Sequence, residues 1–431
     1  MNLEYFIAKN VAAGGKKSFS RLIIRIAIAA VALSVSVMLI TSALIFGFKK
    51  EISEKIFGFW GHIHITDNNI NSGVLDNEPI DINQTFYPSL DTMRSVTYYT
   101  EKIGGDHLDY VKTKSYGGIR HIQTFALSPG IIKTKEDIEG IVLKGIGTDF
   151  DTQFIEEYLE EGEFIDFDAE KASKDIIVSR QTADRMNLKL GDKFRFHFIQ
   201  KNEPIQRQFI VKGIYKTGLE EYDRRFALVD IRKIQQLLKW KETEVGGFEV
   251  FIDDIRDLEP MTELIYLEHL PNTLYAENIR EKFPPIFEWL ELQDINQYVI
   301  IALMLVVSII NMVTALLILI LERTNMIGTL KALGGTNYSI RKIFLYYAAF
   351  IVIAGLFWGN LIGLGLCWLQ DTFRFVKLSE ADYYLSYAPI SINWAMVIGI
   401  NVGTLVMTIL VLIIPSFLVS RISPVKAIRF K

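Results

Sequence analysis

The chain reads as a membrane α-helical protein with four transmembrane helices and a large α+β extracytoplasmic domain inserted between helices 1 and 2. Three observations predict this. Four apolar runs, Ile26–Phe48, Val299–Leu321, Ile343–Leu369 and Trp394–Val419, carry no charged residue. Each reaches the roughly 20 residues a helix needs to cross a bilayer core of about 30 Å. A segment of about 250 residues, 49–298, separates the first run from the second and is long enough to bury a core of its own. Basic residues then gather in alternate connections, which fixes the orientation.

The elements follow in order. In the segment 1–25, Leu3, Phe6, Ile7 and Val11 recur at helical spacing, which predicts an interfacial helix on the cytoplasmic membrane face. Lys9, Lys16, Lys17, Arg21 and Arg25 lie there against one acid, Glu4. The run 26–48 is longer than a signal-peptide core and leaves through Phe46-Gly47-Phe48-Lys49-Lys50 without a small-x-small site, so it is expected to be a retained anchor. The segment 322–342 carries Arg323, Lys331, Arg341 and Lys342 against Glu322, and the tail 420–431 has four basic residues and no acid. The loop 370–393 is balanced. The basic connections therefore face the cytoplasm, and 49–298 and 370–393 lie outside.

Within the external segment, strands are predicted at His62–Ile65, Asp175–Val178, Phe194–Phe198 and Phe209–Val211, and helices at Asp149–Glu160, Gln181–Leu188 and Asp230–Trp240. The texture is that of an α+β domain of two lobes. Asp67–Asn83 reads as a surface loop. Phe48–Phe57 and Pro285–Tyr298 continue the helical period out of and into the membrane, as stalk helices would.

Chemistry-bearing motifs are few. Gly14-Gly15-Lys16-Lys17-Ser18 fails the phosphate-loop spacing and follows no strand, so ATP hydrolysis is not expected in this chain. His62-x-His64 lacks a third ligand, and a half-exposed strand face is the expected reading rather than a metal. The pairs Glu156-Glu157, Glu160-Glu161 and Asp253-Asp254 read as solvated faces. The one cysteine, Cys367, lies inside the third run, so no intrachain disulfide is available. No ionisable group lies in the apolar runs, which argues against proton- or ion-driven transport. Gly355, Gly359 and Gly363 form a small-xxx-small ladder whose partner helix is either within the chain or in a second copy. In 322–342, Met326, Ile327, Leu330 and Leu333 form an apolar stripe ended by Gly334-Gly335. Such a helix either inserts into a groove on a cytoplasmic partner or rests on headgroups.

At this loop the sequence resembles a known family. Glu322-Arg323, Met326-Ile327-Gly328 and Leu330-Lys331-Ala332-Leu333-Gly334 are similar to the E-[KR]-x-x-[ED]-I-G-x-L-[KR]-A-[LM]-G segment of MacB/FtsX-like ABC permeases, with Met326 where an acid is usual. The tail Ser423–Phe430 resembles that family's P-x-x-A-L-R ending. Gly47–Gly58 followed by His62–Ile65, and Val211–Asp223 with Thr217, Gly218, Tyr222 and Asp223, resemble the lipoprotein-releasing (LolC/LolE) branch. The resemblance runs nearly end to end. It implies a permease subunit in a bacterial inner membrane that moves lipoproteins toward the outer membrane, with the loop 322–334 contacting a separate ATPase. It also implies a second permease copy or homologue as partner, lipoprotein cargo and a periplasmic lipoprotein chaperone. No cofactor is expected in this chain, ATP and Mg being held by the partner ATPase, and no nucleic acid is expected. The stretch Phe198–Arg207 departs from the branch: it is short and lacks the Gly of the chaperone-docking loop. Two rivals remain, a MacB-type mechanotransmission exporter and an FtsX-like signalling permease that controls cell-wall hydrolases.

Overall fold

A computed structural model describes residues 19–69, 78–104, 107–134, 137–167, 171–198 and 205–422. The segments 3–11, 14–18, 199–204 and 424–430, and part of the loop 67–83, lie outside these residues. The chain divides into two compact units. One comprises residues up to 51, 288–377 and 387 onward; the other comprises 52–287 and 378–386.

The first unit is helical. Four helices are long and apolar enough to cross a membrane: Phe19–Trp60, Pro284–Glu322, Asn337–Phe373 and Trp394–Ser416. Each contains one of the apolar runs, and the first two continue well beyond them. Backbone groups in hydrocarbon must bond within their own segment, so the helices have no reason to break where the apolar runs stop. Their shared core is built from Val31, Val35 and Leu39 on span 1, Met312, Leu316 and Ile320 on span 2, Phe344, Ala348 and Val352 on span 3, and Ile400 and Leu412 on span 4. Their other faces carry exposed apolar residues such as Leu303, Ile310, Phe357, Leu361, Ile398 and Val402. Outward apolar surface suits a lipid solvent rather than water.

The second unit is built on a ten-stranded mixed sheet. Its strands run in the order Leu274–Asn278, Ile63–Asp67, Gly247–Ile252, Ile119–Lys133, Ile138–Ile146, Phe226–Asp230, Asp175–Ser179, Ile205–Tyr215 and Leu159–Gly162. Lys193–Phe198 pairs with both Ile205–Tyr215 and Ile119–Lys133. Two neighbouring pairs are parallel and the remainder antiparallel. A hairpin, Thr97–Gly104 with His107–Lys114, forms a separate sheet. The α+β texture expected of this segment is thus built on one large sheet with smaller two-stranded sheets beside it.

Three local expectations are corrected. The helix expected at Asp149–Glu160 spans only Gln153–Glu157, because Leu159–Gly162 pairs with Gly213–Tyr215 as an edge strand. The helix expected at Gln181–Leu188 is Arg180–Arg185, capped by the Ser179 hydroxyl, which accepts from Thr182 N–H. It stops before Asn187, whose φ is 49°. His62 and His64 are not half-exposed but buried, for reasons given below. The third predicted helix is found at Ile231–Leu238, with Asp230 accepting from Arg232 N–H as its N-cap and Lys239 in the left-handed region as its C-cap.

Candidate coupling segments and domain joints

The motif between the second and third long helices forms a short helix, Thr324–Ala332. Gly334 ends it with φ of +91°, a conformation a side chain would strain, while Gly335 N–H reaches back to the Leu330 carbonyl at 2.9 Å. The apolar stripe is divided rather than presented whole. Ile327 and Gly328 are buried, and Met326 and Leu330 pack on the span core. Leu333 is 80% exposed, beside exposed Ala332, Gly334, Asn325, Thr329 and Glu322. A helix this short between two spans covers its apolar face against the span ends and leaves Asn325, Thr329 and its C-terminal edge exposed. Arg323 lies half-buried at its start. The Lys331 ammonium donates to the carbonyls of Val419, Ser420 and Ile422 at 2.9, 3.3 and 2.8 Å. These are oxygens at and just past a helix C-terminus, where no intrahelical donor remains and a cation is favoured. The motif lysine therefore fastens the short helix to the end of span 4.

The glycine ladder is settled within the chain. A Cβ on Gly355 would lie 2.6 Å from Val31 Cγ1, one on Gly359 2.8 Å from Val35 Cβ, and one on Gly363 3.1 Å from Ser36 Cα. Span 3 thus packs backbone-close on span 1. The approach also lets the Ser36 hydroxyl donate to the Gly359 carbonyl at 2.9 Å. A second polar tie joins spans 3 and 4, where the Asn360 and Asn401 amides exchange bonds of 2.6 and 3.0 Å.

Inside the second unit, the long first helix ends at Trp60 against a buried charged cluster. The Lys144 ammonium donates to the Phe59 carbonyl and pairs with Glu249 at 2.7 Å. It also lies 4.8 and 4.9 Å from the Trp60 and Phe59 ring centroids. Gln123 donates to the other Glu249 oxygen at 2.7 Å. His64 Nε2–H donates to the Trp60 carbonyl at 2.6 Å, and its Nδ1 accepts from Lys282 at 2.7 Å. The two terminal carbonyls of the helix are thus capped by fixed donors from the sheet. Burial sets the protonation. It drives the His64 pKa well below 6.5, with Lys282 and Lys144 adding to the effect, so the imidazole is neutral and tautomerically fixed. Burial pulls Lys144 down and Glu249 up, and each holds the other charged against that pull. His62, stacked on Phe57 at 4.3 Å, is lowered to about 3, by burial first and by Arg120 second. The H-x-H pair therefore serves as packing and capping groups. Among the described residues no group of three His, Cys, Asp or Glu side chains is arranged to hold a metal.

The Thr217–Asp223 motif is a closed turn. Asp223 accepts from Thr217 Oγ at 2.7 Å, Thr217 N–H at 3.3 Å and Gly218 N–H at 3.0 Å, and Leu219 N–H donates to Thr217 Oγ at 3.1 Å. Burial raises the Asp223 pKa, and these donors together with Lys55 oppose the rise. Gly218 has φ of +79°, and Tyr222 is buried against Phe59, Trp60 and Phe283. The Lys55 ammonium, on the long helix, donates to the Thr217 carbonyl at 2.5 Å. Motif and helix are thereby tied together.

The sequence reading overlooked Lys55, Lys144, Glu249 and Lys282. A usable signal existed for two of them: Lys144 and Glu249 are lone, opposite charges inside apolar strand runs, Ile141–Ile146 and Gly247–Ile252. Two such runs in one sheet favour a buried pair.

Comparison with known proteins agrees with this picture. Residues 298–424 match the FtsX-like permease C-terminal family. Along its whole length the chain is similar to the lipoprotein-releasing system transmembrane protein LolC of Neisseria meningitidis, 22% identical over 447 residues, covering 100% of this chain and 98% of that one. LolC of Xylella fastidiosa is 21% identical with the same coverage. LolE of Haemophilus influenzae is 20% identical, covering 99% of each chain.

Proposed function

We propose that this chain is the permease subunit of an ABC transporter that extracts lipoproteins from the outer leaflet of a bacterial inner membrane for transfer toward the outer membrane. The observation that carries the reading is the full-length similarity to LolC and LolE permeases. The helical segment 324–332, fastened to span 4 and exposing Leu333, supports it.

In this reading the external domain sits in the periplasm between spans 1 and 2, and ATP with Mg is held by a separate cytoplasmic ATPase. The ATPase engages the exposed C-terminal edge, Ala332 to Gly334, while Ile327 and Leu330 anchor the segment in the span core. Closure of the ATPase pair displaces Thr324–Ala332. Lys331 passes the displacement to span 4, and the glycine ladder holds span 3 on span 1. Acyl chains cost about 0.8 kcal/mol per CH₂ to bring out of an apolar environment, so withdrawal of a tri-acylated anchor needs an energy source. A second permease copy or homologue completes the cargo path, and the cargo passes to a periplasmic carrier.

The test is purification from the native membrane in mild detergent, followed by mass spectrometry of what co-elutes. An ATPase together with acylated lipoproteins supports the reading. An ATPase with a cell-wall hydrolase or an outer-membrane channel moves it to the signalling or exporter class, and no ATPase refutes it.

A further inference from the structure

The nine residues 378–386 connect spans 3 and 4 by chain order, yet they fold as part of the external domain. The domain therefore has four covalent leads into the helical unit, at 51/52, 287/288, 377/378 and 386/387. What holds the nine residues in place is the motif left without a role above. The segment is a closed loop: Leu378 N–H donates to the Ser386 carbonyl at 3.0 Å, and the Ser386 hydroxyl donates to Glu380. Its short helix Glu380–Tyr383 ends at Tyr384, which adopts φ of +59°. Glu380 pairs with Lys216 at 2.7 Å, one residue before Thr217. The Tyr384 carbonyl accepts from Lys55 at 3.4 Å, the same ammonium that bonds the Thr217 carbonyl. Leu385 is buried. A Cβ on Gly218 would stand 3.1 Å from Lys55 Nζ and 3.3 Å from the Tyr384 carbonyl, so the glycine is what lets the loop seat. The Thr217–Asp223 turn is thus a receptacle: Asp223 shapes it, Gly218 opens it and Lys55 bridges it to the loop.

We propose that residues 378–386, docked on the Thr217–Asp223 turn, are a coupling strap through which spans 3 and 4 drive the external domain, and that the strap stays docked throughout the cycle. This rests on the ATP-driven permease reading but not on its cargo. Span 4 begins at Trp394, past the segment 387–393 that follows the strap, and Lys331 holds carbonyls at its other end. A displacement imposed at Thr324–Ala332 therefore reaches the loop along span 4 and that short non-helical segment.

The experiment uses the full chain in complex with the ATPase that co-purifies with it. ATP-dependent change in amide hydrogen exchange of residues 52–287 reports domain movement. Replacing 378–386 by nine Gly/Ser residues should cut that change at least threefold while ATP hydrolysis stays within twofold of the unaltered complex. As a variant that keeps the loop, Lys216→Cys/Glu380→Cys in a Cys367→Ala background should cross-link readily with a short bismaleimide and, once linked, retain the ATP-dependent change. Undiminished movement with the linker, loss of movement on cross-linking, or no ATP-dependent change in the unaltered complex would each overturn the strap. Lipoprotein release is measured in the same samples. Movement without release would sink the cargo reading and leave the strap standing.

Discussion

Lys144→Met is the substitution whose effect the structure fixes most closely. Lys144 and Glu249 are both fully buried and 2.7 Å apart. Methionine fills similar volume, so the loss is chiefly electrostatic. It strands the Glu249 carboxylate with Gln123 as its remaining donor and leaves the Phe59 carbonyl without its ammonium. Removing one member of a buried pair costs about 3–5 kcal/mol. For a domain of about 245 residues that corresponds to a fall in Tm of roughly 10 °C, at about 2–4 °C per kcal/mol. Urea titration of the purified chain, followed by tryptophan fluorescence, measures it. The deficit should shrink on acidification, because the stranded Glu249, already raised by burial, then takes up a proton. Lys144→Met/Glu249→Met should recover most of the loss, since a buried pair replaced by apolar groups is often near neutral. A Lys144→Met chain within about 1 kcal/mol of wild type at pH 7, or a double variant as unstable as the summed singles, would refute the reasoning.

Other expectations can be checked in parallel. Gly359→Ala places a methyl 2.8 Å from Val35 Cβ and 2.9 Å from the Ala32 carbonyl; it should cost about 1–3 kcal/mol, read as earlier thermal inactivation of the purified chain in detergent. His62 and His64 have folded pKa values lowered by burial, so between the folded and unfolded values the unfolded chain binds more protons. Their contribution is fully present above pH about 6.5 and is lost as the pH falls, for His62 toward about 3. At pH 5 urea unfolding of the purified chain should show a loss of about 2 kcal/mol from His62 relative to pH 7.5, absent in His62→Gln. Lys331→Met removes three carbonyl contacts at the end of span 4. It should cost on the order of 1–2 kcal/mol and lower the ATPase activity that the permease supports. Leu333→Asp should leave thermal stability unchanged while reducing ATPase co-purification at least tenfold.

The membrane helices were legible because a bilayer demands length and apolarity that nothing else in the chain imitates, as in Val299–Leu321. Their continuation past the apolar runs was legible too: Phe48–Phe57 and Pro285–Tyr298 keep the helical period through polar sequence, and the helices Phe19–Trp60 and Pro284–Glu322 run through them. Short strands with clean alternation, such as Lys193–Phe198, were visible, whereas Leu159–Gly162 was not. Its Leu-Glu-Glu-Gly composition favours helix, and only pairing with Gly213–Tyr215 makes it a strand. The apolar stripe from Met326 to Leu333 showed its period but not its allocation: Ile327 faces the chain's own core and Leu333 faces out, a difference set by the helix ends it lies on. The His62-x-His64 pair was misjudged because alternation marks a face without saying whether a second layer covers it. The strap was hidden for a related reason: 378–386 and Thr217–Asp223 meet only in the folded domain, and no local pattern announces a loop that folds with a distant domain.

The most direct test of the central claim is reconstitution. The chain, with its co-purifying ATPase and permease partner, would be placed in liposomes loaded with a tri-acylated lipoprotein, and the lipoprotein released to a soluble acceptor would be counted per ATP hydrolysed. The account predicts ATP-dependent release that Leu333→Asp abolishes and that a non-acylated form of the same cargo does not show. ATP hydrolysis with no lipoprotein leaving the membrane, or release that ignores acylation, would contradict it.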